Sequence, residues 1–246
     1  MGYIAAQDIL TLWEIGQQQD PLQRALSMLA MARPDMTAED LARLDIARRD
    51  QMLVRLRQEV MGPRMQVYSE CPHCAAGLEL GVTTTEILAL EAPEPVPPDG
   101  IHALEMGELT IRFRLPDSTD LTAIFGHETA EACDLIMERC LIEARRAGKA
   151  VKPADLTDEE RRALEARMGE NSRQADVRLD IACPACGRTY QALFDIVTLL
   201  WMEISALAVR LLREVHTLAR AYGWSEVDIL SMSGLRRRWY LEMVTA

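Results

Sequence analysis

Apolar positions along the chain change period several times, and each change predicts an element. Over roughly the first 60 residues the period is helical and predicts three helices. Asp20 followed by Pro21 is an N-cap and first-turn pair, Leu22, Leu26 and Leu29 form the apolar stripe of PLQRALSMLAMA, and Pro34 stops that helix. Thr37 then caps a longer helix through about Val60, with Ile46, Leu53, Leu56 and Val60 on one face. Gly62 and Pro63 end it. At 65 to 82 the pattern shortens: MQVYSE leads into Cys71-Pro-His-Cys74, and Gly77 precedes the alternating LEL. This predicts strand, knuckle, strand, followed by a short helix from Thr83–Thr85 through Leu90.

The proline-rich run APEPVPPDG at 92 to 100 reads as a linker. IHALE and ELTIRFRL around Met106 and Gly107 predict a hairpin, residues 120 to 147 a return to helix, and 151 to 155 a loop. Thr157 and Glu160 form a capping box for a helix ending near Gly169. Residues 177 to 200 then repeat the order of 67 to 88, with Cys183-Pro-Ala-Cys186-Gly187 between two short strands. From about Asp195 to Tyr222, Val197, Trp201, Ile204, Ala208, Leu211, Val215, Leu218 and Tyr222 recur at steps of four and three, a heptad seam. The first half of this helix is apolar nearly all round, because Leu199, Leu200, Met202, Ala206 and Leu207 add to the seam. Gly223 closes it, Ser225 with Asp228 starts a short helix, and GLRRRWYLEMV makes the last.

The expected fold is mainly α with small β elements (α+β): a split zinc-ribbon-like module with an inserted hairpin and helical segment, and a long C-terminal helix. Its expected parts are an N-terminal helical segment (1–64), a first knuckle half (65–90), an insertion (91–175), a second knuckle half (176–194) and the C-terminal helices (195–246).

Composition narrows the partners. With 27 Lys and Arg against 38 Asp and Glu, the chain carries a net charge of -11 and repels phosphate backbones, so nucleic acid is an unfavoured main partner. The apolar stretch from Phe194 to Val209 contains Asp195 and Glu203 and is too short and interrupted to span a bilayer. Asp8 and Glu14 fall where a secretory signal needs apolar residues, and Ala6 stands where myristoylation needs Ser or Thr. A soluble, cytoplasmic protein is expected. Six cysteines in such a compartment point to metal or redox chemistry more than to structural disulfides.

Two CxxC knuckles with matched flanks suit one four-coordinate zinc, because each knuckle presents two thiolates about 2.3 Å from a shared ion. The expected ligands are Cys71, Cys74, Cys183 and Cys186. The pairs lie 108 residues apart, far beyond a compact ribbon, so the duplicated flanks carry the argument rather than the spacing. Gly187 lets the second knuckle turn, whereas Ala75 and Ala76 precede Gly77 in the first, which reads as less regular. A closed four-thiolate site leaves no open position and is structural. The rival reading makes each CxxC an independent redox pair or an ordinary thiol pair. Cys133 and Cys140 read as core residues, His73 takes no role, and His102, His127 and His216 lack a partner at ligand spacing. No Walker loop, GxGxxG, GxSxG or HExxH is present, Glu159 and Glu160 read as solvated, and no enzyme activity is expected. Arg236, Arg237 and Arg238 read as a solvated basic face or as a contact to an acidic partner subunit or to phosphate.

The phrases LWEIG, DPLQRALSMLA, GPR before the first knuckle, IRFRLPDSTDL, CPACG with FDIVTLLW, EVHTLARAYGWSEVDIL and RRRWYLEM carry a resemblance that runs from about Ile9 to the end. The chain resembles a zinc-knuckle family of baseplate proteins encoded with contractile phage tails and phage-tail-like injection systems. The resemblance implies a non-enzymatic part of a baseplate or hub, or a factor in its assembly, incorporated into a phage-like particle. It makes the cysteines a structural zinc site and the long helix a docking surface for other baseplate or tail subunits. Two other classes stand beside it: a zinc-ribbon nucleic-acid-binding regulator using GWSEVDILSMSGLRRRWYL as a helix-turn-helix, and a thiol oxidoreductase.

Overall fold

A computed structural model of the chain describes residues 5–89, 97 and 99–245. The described residues are mainly helical with small antiparallel sheets, and they divide into two compact units. One comprises residues up to 38 together with 196–246, the other residues 39–195. No helix among the described residues is long and apolar enough to cross a membrane.

In the first unit, α1 (Ala6–Gly16) and α2 (Pro21–Ala32) begin the chain. Asp20 caps α2 as expected, its carboxylate accepting from the Gln23 N–H at 2.8 Å. The buried face of α2 is Ala25, Met28, Leu29 and Ala32; Leu22 and Leu26 are only half-buried, so the core stripe is rotated from the expected one.

The second unit opens with α3 (Ala38–Ala42) and α4 (Ile46–Met61). The single helix expected from Thr37 to Val60 is thus broken. Asp45 provides a second N-cap, accepting from the Arg48 N–H at 2.9 Å, while the Ile46 N–H is drawn to the Pro116 carbonyl at 3.0 Å. A tertiary hydrogen bond replaces a helical one. Hairpin β1 (Arg64–Glu70) and β2 (Gly77–Thr83) follows, and Thr83 caps α5 (Thr84–Leu88) in a capping box with Glu86. The expected linker lies mostly outside the described residues, and the helix expected to reach Leu90 ends at Leu88, with Ala89 as its C-cap.

β3 (Ile101–Met106) and β4 (Leu109–Arg114) form the expected hairpin, with Gly107 at φ +57° in its two-residue turn. α6 (Ser118–Ala123) and α7 (Thr129–Cys140) come next, but residues 141–146 are not helical. They form β5 (Leu141–Arg146), which pairs with β4 and with the short β6 (Lys149–Ala150) in a sheet ordered β3-β4-β5-β6. α8 (Asp158–Asn171) is capped by Thr157 and Glu160 as expected. Leu109, Ile111 and Phe113 from β4 meet Met137, Cys140, Leu164 and Met168 from α7 and α8 in one apolar core.

Beside that core lies a buried ionic cluster. Asp120 is fully buried, accepts from Arg114 at 2.6 and 2.9 Å and from Arg139 at 2.7 Å, and takes the Asp117 N–H at 3.0 Å. Burial raises the Asp120 carboxyl, but the Arg114 guanidinium, the Asp117 amide and Arg139 outweigh it and hold it down at about 2. The unit closes with hairpin β7 (Arg178–Ala182) and β8 (Thr189–Leu193).

The first unit resumes with α9 (Ile196–Tyr222), then α10 (Glu226–Ser231) and α11 (Gly234–Thr245). Val197, Ile204, Ala208, Leu211 and Leu218 of the expected seam are buried, joined by Ile196 and Leu200. Trp201 and Val215 are half-buried, and Tyr222 is exposed at the end, stacked on Trp224. Trp201 lies under the Arg24 guanidinium, 4.4 Å from its centroid, and against Gly16, where an added Cβ would meet the ring at 2.3 Å. The basic run does not form one solvated face: Arg237 is buried, donating to Glu214 at 2.9 Å and to the Met232 carbonyl at 2.6 Å. Arg236 and Arg238 are exposed.

Candidate metal centre

The two hairpins of residues 39–195 build the site by the same local rules. Antiparallel β1 and β2 end at the pair Glu70–Gly77, and β7 and β8 at the pair Ala182–Thr189, so each knuckle closes six residues. In the first, the Ala75 N–H donates to the Cys71 carbonyl and the Cys71 N–H to the Ala76 carbonyl, both at 2.9 Å. In the second, the Gly187 N–H donates to the Cys183 carbonyl and the Cys183 N–H to the Arg188 carbonyl, again at 2.9 Å. The two turns have the same hydrogen bonds. Ala75 adopts φ +57° where Gly187 adopts φ +71°, so the first knuckle is as regular as the second despite lacking the glycine.

The turns aim their thiols at one point. Cys71 Sγ lies 3.8 Å from Cys186 Sγ, Cys74 Sγ lies 3.7 Å from Cys183 Sγ, and all four sulfurs lie within 4.8 Å of one another. Four sulfurs about 2.3 Å from a central ion stand about 3.8 Å apart along a tetrahedral edge, so these separations fit a four-thiolate metal site. They do not fit disulfides, which need about 2.05 Å. The leading cysteine of each knuckle is buried and the trailing one exposed. The Tyr190 hydroxyl donates to Ser69 Oγ at 3.1 Å, a second tie between the hairpins.

Backbone amides point at the sulfurs. The Cys186 N–H, opposed by desolvation and aided by the Ala185 N–H, brings the Cys183 thiol down to about 7. The Ala76 N–H acts likewise on Cys74, but desolvation and the crowding of Cys186, Cys183 and Cys71 prevail and push that thiol up to about 12. Four thiols this close resist joint ionisation. A cation among them removes that resistance, and the donor set therefore suits a metal ion.

The other expected residues separate. Cys140 is buried, and burial, followed by the charge of Asp120, pushes its thiol up to about 12. Cys133 is exposed and not a core residue, because α7 turns that part of its surface outward. His102 stacks on Phe113 with centroids 5.6 Å apart. His127 does have an acidic neighbour, Glu131, at 3.2 Å one helical turn on. Glu160 is not merely solvated, since Arg146 donates to both its oxygens at 2.8 and 2.9 Å. Sequence reading missed the Asp120 cluster and the Arg237–Glu214 pair; the basic run pointed to the second but not to its burial.

The family described as T4 bacteriophage base plate protein matches residues 7–201. The chain belongs to that baseplate family. No curated protein and no solved structure matches it. The segment matched to the baseplate family contains all four clustered cysteines, and a phage baseplate structural role follows from membership.

Proposed function

We propose that this chain is a non-enzymatic structural or assembly component of the baseplate or hub of a contractile phage tail or phage-tail-like injection system. One zinc ion on Cys71, Cys74, Cys183 and Cys186 holds the two knuckle halves together, and the protein is carried into the particle with other baseplate subunits. We treat residues 91–175 as an insertion between knuckle halves 65–90 and 176–194.

The observation that carries this reading is the convergence of four sulfurs within 4.8 Å, two of their separations matching a tetrahedral edge, from two hairpins with the same backbone turn. Zinc suits such a set because thiolates are soft ligands and the ion has no geometric preference of its own. With all four positions taken by protein, the ion contributes folding free energy and offers no site to a substrate. The nucleic-acid reading loses support because Arg237 is turned inward to Glu214, leaving no three-arginine surface.

Elemental analysis of the purified protein tests the zinc, with one equivalent per chain expected. Cys183→Ser should lower the melting temperature by about 10 °C or more, whereas Cys133→Ser at the exposed α7 position should change it little. A metal-free protein that takes up no zinc on readdition would sink the site, and absence of the chain from purified particles and their assembly intermediates would sink the baseplate role.

A further inference from the structure

Helix α9 buries one side and leaves another open. At 100° per residue, Met202, Ala206, Val209, Arg213, His216 and Arg220 fall within a strip about 80° wide, opposite the buried Ile204, Ala208, Leu211 and Leu218. All six strip residues are exposed, Met202 by 63%. The strip changes character along its length: its first half is apolar, and its second half carries two arginines and a histidine. Neither carboxylate of α9 stands on it. Glu203 and Glu214 lie off to one side, half-buried, and Glu214 is engaged by Arg237. Among the described residues, no carboxylate pairs with Arg213 or Arg220. In a chain of net charge -11, this exposed strip carries two arginines and no acidic residue. It begins at Met202, one residue beyond the segment matched to the baseplate family.

We propose that this strip receives a helix from another baseplate subunit, apolar at one end over Met202, Ala206 and Val209 and rich in Asp and Glu at the other over Arg213, His216 and Arg220. From 202 to 220 the strip is about 27 Å long, so the partner helix needs about 18 residues. Charge complementarity selects this occupant. A basic half-strip beside an apolar one matches an acidic amphipathic helix in both register and direction, and a mismatched partner would bury unpaired arginine. The same strip of a second copy is a poor occupant: parallel pairing sets arginine against arginine, and antiparallel pairing sets arginine on the apolar half.

The inference rests on the baseplate reading, and one experiment separates the two. A photoreactive phenylalanine analogue replaces Ala206 or His216 in the full chain, assembled particles are irradiated, and the cross-linked peptides are sequenced by mass spectrometry. Both positions are expected to mark one helix of another subunit, with Asp or Glu clustered at the His216 end. Arg213→Glu with Arg220→Glu should cut incorporation into particles about tenfold, with circular dichroism and metal content unchanged; charge reversal of the marked acidic residues should restore it. Arg213→Gln with Arg220→Gln serves if the double reversal disturbs folding. Cross-links to residues 39–195 of the same chain, to a second copy or to a segment lacking acids, or none at all in particles that contain the protein, overturn the inference and leave the baseplate reading standing. Absence of the protein from particles overturns both.

Discussion

Ala75 holds a left-handed backbone at φ +57°, the conformation that Gly187 holds at φ +71° in the matching turn. For a residue with a Cβ that conformation costs roughly 1–2 kcal/mol, part of which glycine returns as unfolded-chain entropy. Ala75→Gly is therefore expected to stabilise residues 39–195 by about 0.5–1 kcal/mol, and Gly187→Ala to destabilise them by a similar amount. A Cβ at Gly187 would meet nothing within 4 Å, so the second effect would come from the backbone alone. Urea titrations of the two variants, with metal content checked, measure both signs. Equal stabilities would mean that the turn relaxes and the thiol geometry is less rigid than the matched hydrogen bonds imply.

Among the elements, β5 is the one whose identity depends most on its surroundings. LIEARR has no alternation of apolar and polar residues, yet it lies between β4 and β6 with Ala144 opposite Ile111. Asp120 helps hold α6 and α7 beside this sheet by gathering Arg114 from β4 and Arg139 from α7. Its folded pKa of about 2 lies below the ordinary carboxylate value. The stability this contributes is fully present above the unfolded pKa near 4 and is lost as pH falls through the folded value. The expected loss is roughly 2 kcal/mol between about pH 4 and pH 2. Asp120→Asn should flatten that part of the acid titration while lowering stability at pH 7, because the half-exposed Arg114 and Arg139 lose the buried carboxylate they share. Chemical denaturation across pH with both proteins checks it; an unchanged acid limb in Asp120→Asn would assign the effect elsewhere.

At the scale of the molecule, the four-cysteine cluster lies wholly in the unit of residues 39–195, and its sulfur contacts join positions 109 and 115 residues apart. The proposed metal, by closing a loop of that length, would remove much unfolded-chain freedom from one unit and none from the core formed by α1, α2 and α9–α11. Chelation is therefore expected to lower the melting of residues 39–195 by about 10 °C or more while moving the other unit's transition by only a few degrees. Calorimetry combined with peptide-resolved hydrogen exchange assigns each transition. Equal loss of protection in both units would show that they unfold as one.

The sequence by itself determined the helix caps at Asp20, Thr83, Thr157 and Ser225, the hairpin around Gly107 and both knuckles. Each depends on residues within a few positions of one another, where side-chain oxygens meet nearby amides and glycine frees a turn. It also determined which four cysteines belong together, because duplicated flanks fold alike. Tertiary structure decided the rest. The helix break at Asp45 needs the Pro116 carbonyl, β5 needs the edge of β4, and which face of α2 is buried depends on the helices it packs against. Arg237 is buried only because Glu214, 23 positions away, faces it. Local chemistry is written in neighbouring residues, whereas burial and strand pairing depend on partners that only the folded chain brings into contact.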